Sequence, residues 1–75
     1  MTKRTYKYRT LVAEKQRVKR GWSFQRLGQE AHLSTKTVID FIRSGYGREK
    51  TMRRVAEALD VPIEELLPEA LAKAS

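Results

Sequence analysis

The stretch Ser23–Ser44, SFQRLGQEAHLSTKTVIDFIRS, holds two helical periods separated by a short break. Ser23 is a good helix N-cap, and Leu27 and Ala31 follow it on one face at i, i+4 spacing. His32-Leu33-Ser34 interrupts the pattern, and Ser34 can cap a second helix. In that second helix Val38, Phe41 and Ile42 fall inward at i, i+3, i+4. Thr35, Lys36, Ile39, Asp40 and Arg43 are left on the outside.

Two short helices around a tight turn, the second opening with polar, long-armed residues, have the geometry of a helix-turn-helix. The second helix of such a motif fits the DNA major groove. The flanks extend the helical reading. Thr10 to Arg20 reads as a first helix, with Leu11, the stem of Lys15, Val18 and Trp22 as its inward stripe. Lys15, Arg17, Lys19 and Arg20 load its last turns, where cations suit the negative end of the helix dipole, and Gly21 stops it. Trp22, just before an N-cap, is placed as an apolar staple on the core.

Downstream, Gly45-Tyr46-Gly47 reads as a flexible turn leading into the basic segment REKTMRR. A fourth helix runs from about Glu49 or Thr51 to Leu59, with Met52, Val55, Ala56 and Leu59 on one face. Asp60-Val61-Pro62 breaks it, and a fifth helix from Pro62 to about Leu67 buries Ile63, Leu66 and Leu67. The expected fold is therefore all-α, a compact bundle of about five short helices. Residues 1–9 are expected as a flexible basic arm, with packing of Tyr6 or Tyr8 on the first helix as the alternative. Residues 10–67 form the domain, and 68–75 a short C-terminal tail or helix extension.

Composition narrows the function. The 75 residues make one domain with a modest core, and there is no cysteine for a disulfide or thiolate site. No apolar run approaches the ~20 residues a membrane span needs, and no secretory signal opens the chain, so a cytoplasmic protein is expected. The formal net charge is +7, and it is unevenly spread. Residues 1–22 hold eight basic and one acidic side chain, residues 23–54 seven and three, and residues 55–75 one and five. A basic front with an acidic back suits a polyanion partner. His32 is the sole histidine, which argues against a metal site. No nucleophile is arranged beside a base, and no phosphate-cradling glycine loop is present, so neither an enzyme nor a cofactor is expected.

Taken together, Val18, Gly21-Trp22-Ser23, Leu27, Ala31, Leu33 to Val38, Phe41, Gly45 and the closing segment Thr51–Leu67 resemble the Cro/C1-type (XRE-like) helix-turn-helix family of phage repressors and small bacterial regulators. The resemblance implies a lambda-repressor-like fold and a sequence-specific regulator of transcription that binds double-stranded DNA, commonly as a homodimer on a two-half-site operator. Carried over by position, Thr35, Lys36 and Asp40 would face bases. Lys36 suits guanine O6 or N7, and Asp40 either accepts from a cytosine amino group or pairs with Lys36 at i, i+4 and orients it. Lys3, Arg4, Ser34, Thr37, Arg43, Arg48 and Lys50 are candidates for phosphate contacts.

Four positions depart from the family pattern. Phe24 stands where a polar phosphate-binding residue is usual, Gly28 where alanine is common, His32 where glycine is favoured, and Ile42 where an acid often pairs with the residue at Arg17. The last helix and tail, with Leu67, Leu71 and Ile63, serve either as a dimer surface or as a cap on the monomer core. A rival reading from another class is a protein-interaction module, such as an antitoxin or adaptor, using the acidic 57–69 face with DNA binding secondary. An anionic membrane surface ranks lower because the first helix lacks a large aromatic-aliphatic face, and single-stranded nucleic acid because only Tyr6, Tyr8 and Tyr46 offer aromatics among the basic residues.

Overall fold

A computed structural model describes residues 6–68 of the chain. The two serines act as their positions dictate. The Ser23 side chain accepts from the N–H of Arg26 and starts α2, Phe24–Ala31. That of Ser34 accepts from the N–H of Thr37 and starts α3, Thr35–Ser44. Between them His32 takes the left-handed conformation, with φ 59°, and ends α2. A non-glycine residue there costs about 1–2 kcal/mol, and the Arg54 guanidinium offsets part of it by donating to the His32 carbonyl at 3.0 Å.

Three further helices complete the bundle among the described residues: α1, Thr10–Arg20; α4, Glu49–Leu59; and α5, Ile63–Leu66. The helix-turn-helix pair packs on the others, α2 against α4 and α3 against α1, while α5 closes over α4 and α1. Phe41, Leu27, Met52, Leu59, Leu66, Val38 and Val55 are the largest fully buried side chains. All but Leu66 of α5 come from the faces that the apolar spacing of α2, α3 and α4 defines. Trp22, Ile63 and Leu67 pack partly buried against this cluster.

α1 overturns the expected stripe. Leu11 and Val18 are 64% and 61% exposed, whereas Ala13 is fully buried and Thr10 nearly so. The reason is volume. Large side chains from α3 and α4 already fill the centre, and the helix laid across both needs a small residue at the contact. Thr10 fixes its orientation by donating its hydroxyl to the Ile42 carbonyl at 3.0 Å.

The expected flexible arm is also corrected over the residues described. Tyr6–Lys7 is a short strand, β1, paired antiparallel with β2, Tyr46–Gly47, in the register Tyr6 with Gly47 and Lys7 with Tyr46. Tyr8 is only 5% exposed, and its ring lies 6.0 Å from that of Phe41. The N–H groups of Tyr8 and Arg9 donate to the carbonyls of Gly45 at 2.7 Å and Leu66 at 2.8 Å. Gly45-Tyr46-Gly47 is accordingly no loose turn. Gly45, with φ 78°, caps α3 and turns the chain into β2. Gly47 has no room for a side chain, since a Cβ there would meet the Phe41 ring.

Candidate nucleic-acid interface

The start of α3 is an exposed polar end of the helix pair. Ser34, Thr35 and Lys36 are exposed and Thr37 is half-buried. The Ser34 hydroxyl donates to the Thr37 hydroxyl oxygen at 2.8 Å while accepting from the Thr37 N–H at 3.1 Å. Its donor is thereby used within the cap, and the Thr37 hydroxyl keeps its own O–H to donate. The first backbone N–H groups of a helix have no intrahelical acceptor, and the positive end of the dipole lies there. This end can therefore receive an anion through backbone donors as well as through Lys36.

Asp40 and Arg43 follow on the exposed side of α3. Among the described residues the ion pairs are Glu14–Arg17, Arg26–Glu30 and Glu49–Arg53. Lys36 and Asp40 are not paired, contrary to the orienting contact that their spacing suggests. Each is exposed, so water solvates both charges, and an exposed i, i+4 pair gains only about 0.3–0.5 kcal/mol. Lys36, Arg43, Arg48 and Lys50 thus carry charges that no acid of the described chain neutralises.

Arg48 and Lys50 face α3 across one groove, and Arg43 lines its neighbour. An open groove of about 570 Å³ separates α3 from the start of α4. Thr37 and Asp40 line one wall, Arg48, Lys50 and Arg54 the other, with Tyr46 at the edge. A second groove on the far flank of the β1–β2 ribbon is lined by Lys7, Arg9 and Arg43. Asp40 is the only acid among the lining residues of the two grooves. The structure therefore brings Thr37, Asp40, Arg48 and Lys50 together in the first groove and places Arg43 in the second, while Ser34, Thr35 and Lys36 stand exposed at the start of α3, outside the lining of either. Lys3 and Arg4 lie outside the described residues.

Arg17 and Arg20 of α1 and Arg26 of α2 serve other ends. Arg17 pairs with Glu14 at 2.8 Å, donates to the Trp22 carbonyl at 2.6 Å, and places its guanidinium 4.1 Å from the Phe24 ring centre. Phe24 thus supplies an aromatic face to Arg17, and Glu14 takes the place of the acid missing at position 42. The hydrogen bond from Arg17 holds the Glu14 carboxyl below its usual range, and the same pair raises the Arg17 pKa. Arg20 donates to the Leu59 carbonyl at 2.9 Å.

Sequence reasoning missed the Lys7–Tyr46 pair, with the ammonium 5.7 Å from the ring centre, and the Arg54 bond that braces the turn. The alternation Tyr6-Lys7-Tyr8 was the available signal for a strand. For Arg54 the local sequence holds none, because its partner lies 22 residues away. Among the described residues no helix is long and apolar enough to cross a membrane, and no group of three acid, His or Cys side chains could hold a metal. Comparison with protein-family models, curated proteins and solved structures finds no match to this chain.

Proposed function

We propose that the chain is a sequence-specific double-stranded DNA-binding regulator of transcription, of the Cro/C1-type that its sequence resembles. One observation carries the reading: α3, capped at its start by Ser34, carries Lys36 and Arg43 exposed, and Arg48 and Lys50 line the groove beside it, none of the four with an ion-pair partner. α3 lies in the major groove, with Thr35, Lys36 and Asp40 toward base edges. Arg43, Arg48 and Lys50, with the Thr37 hydroxyl and the first N–H groups of α3, hold phosphates and set the register. A module of this size touches few bases, so a homodimer on two half-sites supplies the rest of the specificity.

Lys36→Ala and Arg48→Ala separate reader from anchor. Lys36→Ala is expected to weaken a selected duplex by about 1–3 kcal/mol and to relax its sequence preference, whereas Arg48→Ala lowers affinity for all duplexes and reduces the salt slope by about one. Identical behaviour of the two variants contradicts the assignment of α3. The protein-interaction alternative draws on a different observation, the exposed Leu11 and Val18 on α1. Ile63 and Leu67 are half-buried on the core, which favours their role as a monomer cap over that of a dimer surface. Leu71 lies outside the described residues.

A further inference from the structure

We infer that the β1–β2 ribbon is a second DNA-contacting element, in which Lys7 and Tyr46 donate to phosphate oxygens of the duplex backbone beside the groove that α3 enters. This inference rests on the DNA-binding reading of α3. Three features point to it.

The first is position. Tyr46 edges the groove that holds Thr37, Asp40, Arg48 and Lys50, and Lys7 lines the neighbouring groove with Arg43. The ribbon therefore lies between two sets of cations, and any polyanion seated on α3 runs past it.

The second is the outward face of the ribbon. Lys7 and Tyr46 are direct cross-strand partners, so their side chains share a face. Tyr46 is 53% exposed. Tyr8, one residue after Lys7, points the other way and fills the core. Tyr8 is thus spent on packing, whereas Tyr46 stands in solvent beside Lys7.

The third is preorganisation. The Ser44 hydroxyl oxygen accepts from the Tyr46 N–H at 3.0 Å. The Tyr8 N–H donates to the Gly45 carbonyl at 2.7 Å. Gly47 lies flat on Phe41, with a Cβ there falling 2.5 Å from the ring. A tip fixed in this way loses little ordering entropy when it meets a ligand. The occupant follows from charge: Lys7, Arg9, Arg43, Arg48 and Lys50 line the two grooves against the single acid Asp40. The sugar–phosphate backbone of a duplex presents a regular row of acceptors to such a surface.

The test uses the full chain, the duplex it selects from a random library, and a scrambled duplex. Lys7→Ala, Tyr46→Phe and Lys36→Ala are compared by fluorescence anisotropy and hydroxyl-radical footprinting. Tyr46→Phe keeps the ring and removes only the donor, so the fold is preserved. Lys7→Ala and Tyr46→Phe are each expected to weaken both duplexes alike, by roughly 3–10-fold, as loss of one phosphate hydrogen bond does. Lys7→Ala also lowers the slope of log affinity against log salt by about one. The footprint loses protected sugars at one edge, while sequence preference is unchanged. If Lys36→Ala weakens the selected duplex but the two ribbon variants bind and protect as wild type does, the ribbon assignment is overturned and the α3 reading stands. If the wild-type chain binds no duplex, both fall.

Discussion

Gly28→Ala separates two arguments that disagree in sign. Helix propensity alone favours alanine by about 1 kcal/mol at an interior helical position. The structure argues the reverse. A Cβ on Gly28 would lie 2.7 Å from the Leu33 carbonyl oxygen, well inside contact distance. The obstacle is backbone, held in a turn whose Leu33 N–H donates to the Gly28 carbonyl at 2.8 Å. A flexible side chain could rotate away; this carbonyl moves only if the whole turn between α2 and α3 shifts.

Overpacking of this kind costs typically about 1–3 kcal/mol, and the upper part of that range applies because the neighbour is main chain. Set against the ~1 kcal/mol gained in propensity, the expected net loss is about 1–2 kcal/mol. For a domain of this size that lowers Tm by roughly 5–15 °C. Urea unfolding followed by circular dichroism gives the free energy, and amide shifts of His32–Thr35 show whether the turn moves. A Gly28→Ala variant as stable as wild type or more so refutes the packing argument and returns the position to simple propensity.

Other expectations follow from burial and charge. Leu11→Ser with Val18→Ser changes stability by no more than about 0.5 kcal/mol, as exposed positions do; a larger loss in thermal unfolding would contradict their exposed placement on α1. If α1 instead forms a contact between copies, the same double variant lowers the apparent mass in sedimentation at high concentration. Burial, with the nearby Glu49 charge, raises the Tyr8 pKa above its ordinary value of 10.0. Tyr8 thus contributes stability that is complete below pH ~10 and lost as pH rises through its folded-state pKa. Tyr8→Phe should remove that part of the alkaline loss in pH-dependent urea unfolding, and an unchanged profile would contradict a buried phenol. Glu14 behaves in the opposite sense. Its pKa is lowered by Arg17, so its contribution is present above its unfolded-state pKa of about 4.3 and disappears as pH falls through the lowered value. Glu14→Gln should flatten the acid limb.

The helix pair was legible because its signals are local. Ser23 and Ser34 as caps, His32 as the break, and Val38, Phe41 and Ile42 as an inward face can all be read within one or two turns. The apolar face of α4 was equally plain. α1 was misread because Leu11 and Val18 offered an apolar stripe, while the residue that docks, Ala13, gives almost no signal of its own. Whether a small or a large side chain faces a core depends on what already occupies it. The ribbon was faint for a related reason. The alternation Tyr6-Lys7-Tyr8 runs for a single step, and the pairing joins positions about forty residues apart. At the site, Lys36 and Asp40 have the spacing of a pair, yet both remain in water where pairing gains little. Phe24 looked like a lost phosphate ligand and proves to be a platform for Arg17, a role that only proximity in space could assign.

The central claim is that α3 reads a DNA sequence. Selection of bound duplexes from a random library by the wild-type and Lys36→Ala chains in parallel tests it most directly. The account predicts a short enriched site, arranged as two related half-sites, whose preference at specific positions is relaxed by Lys36→Ala. Recovery of no common sequence, with affinity set by salt alone, would contradict it.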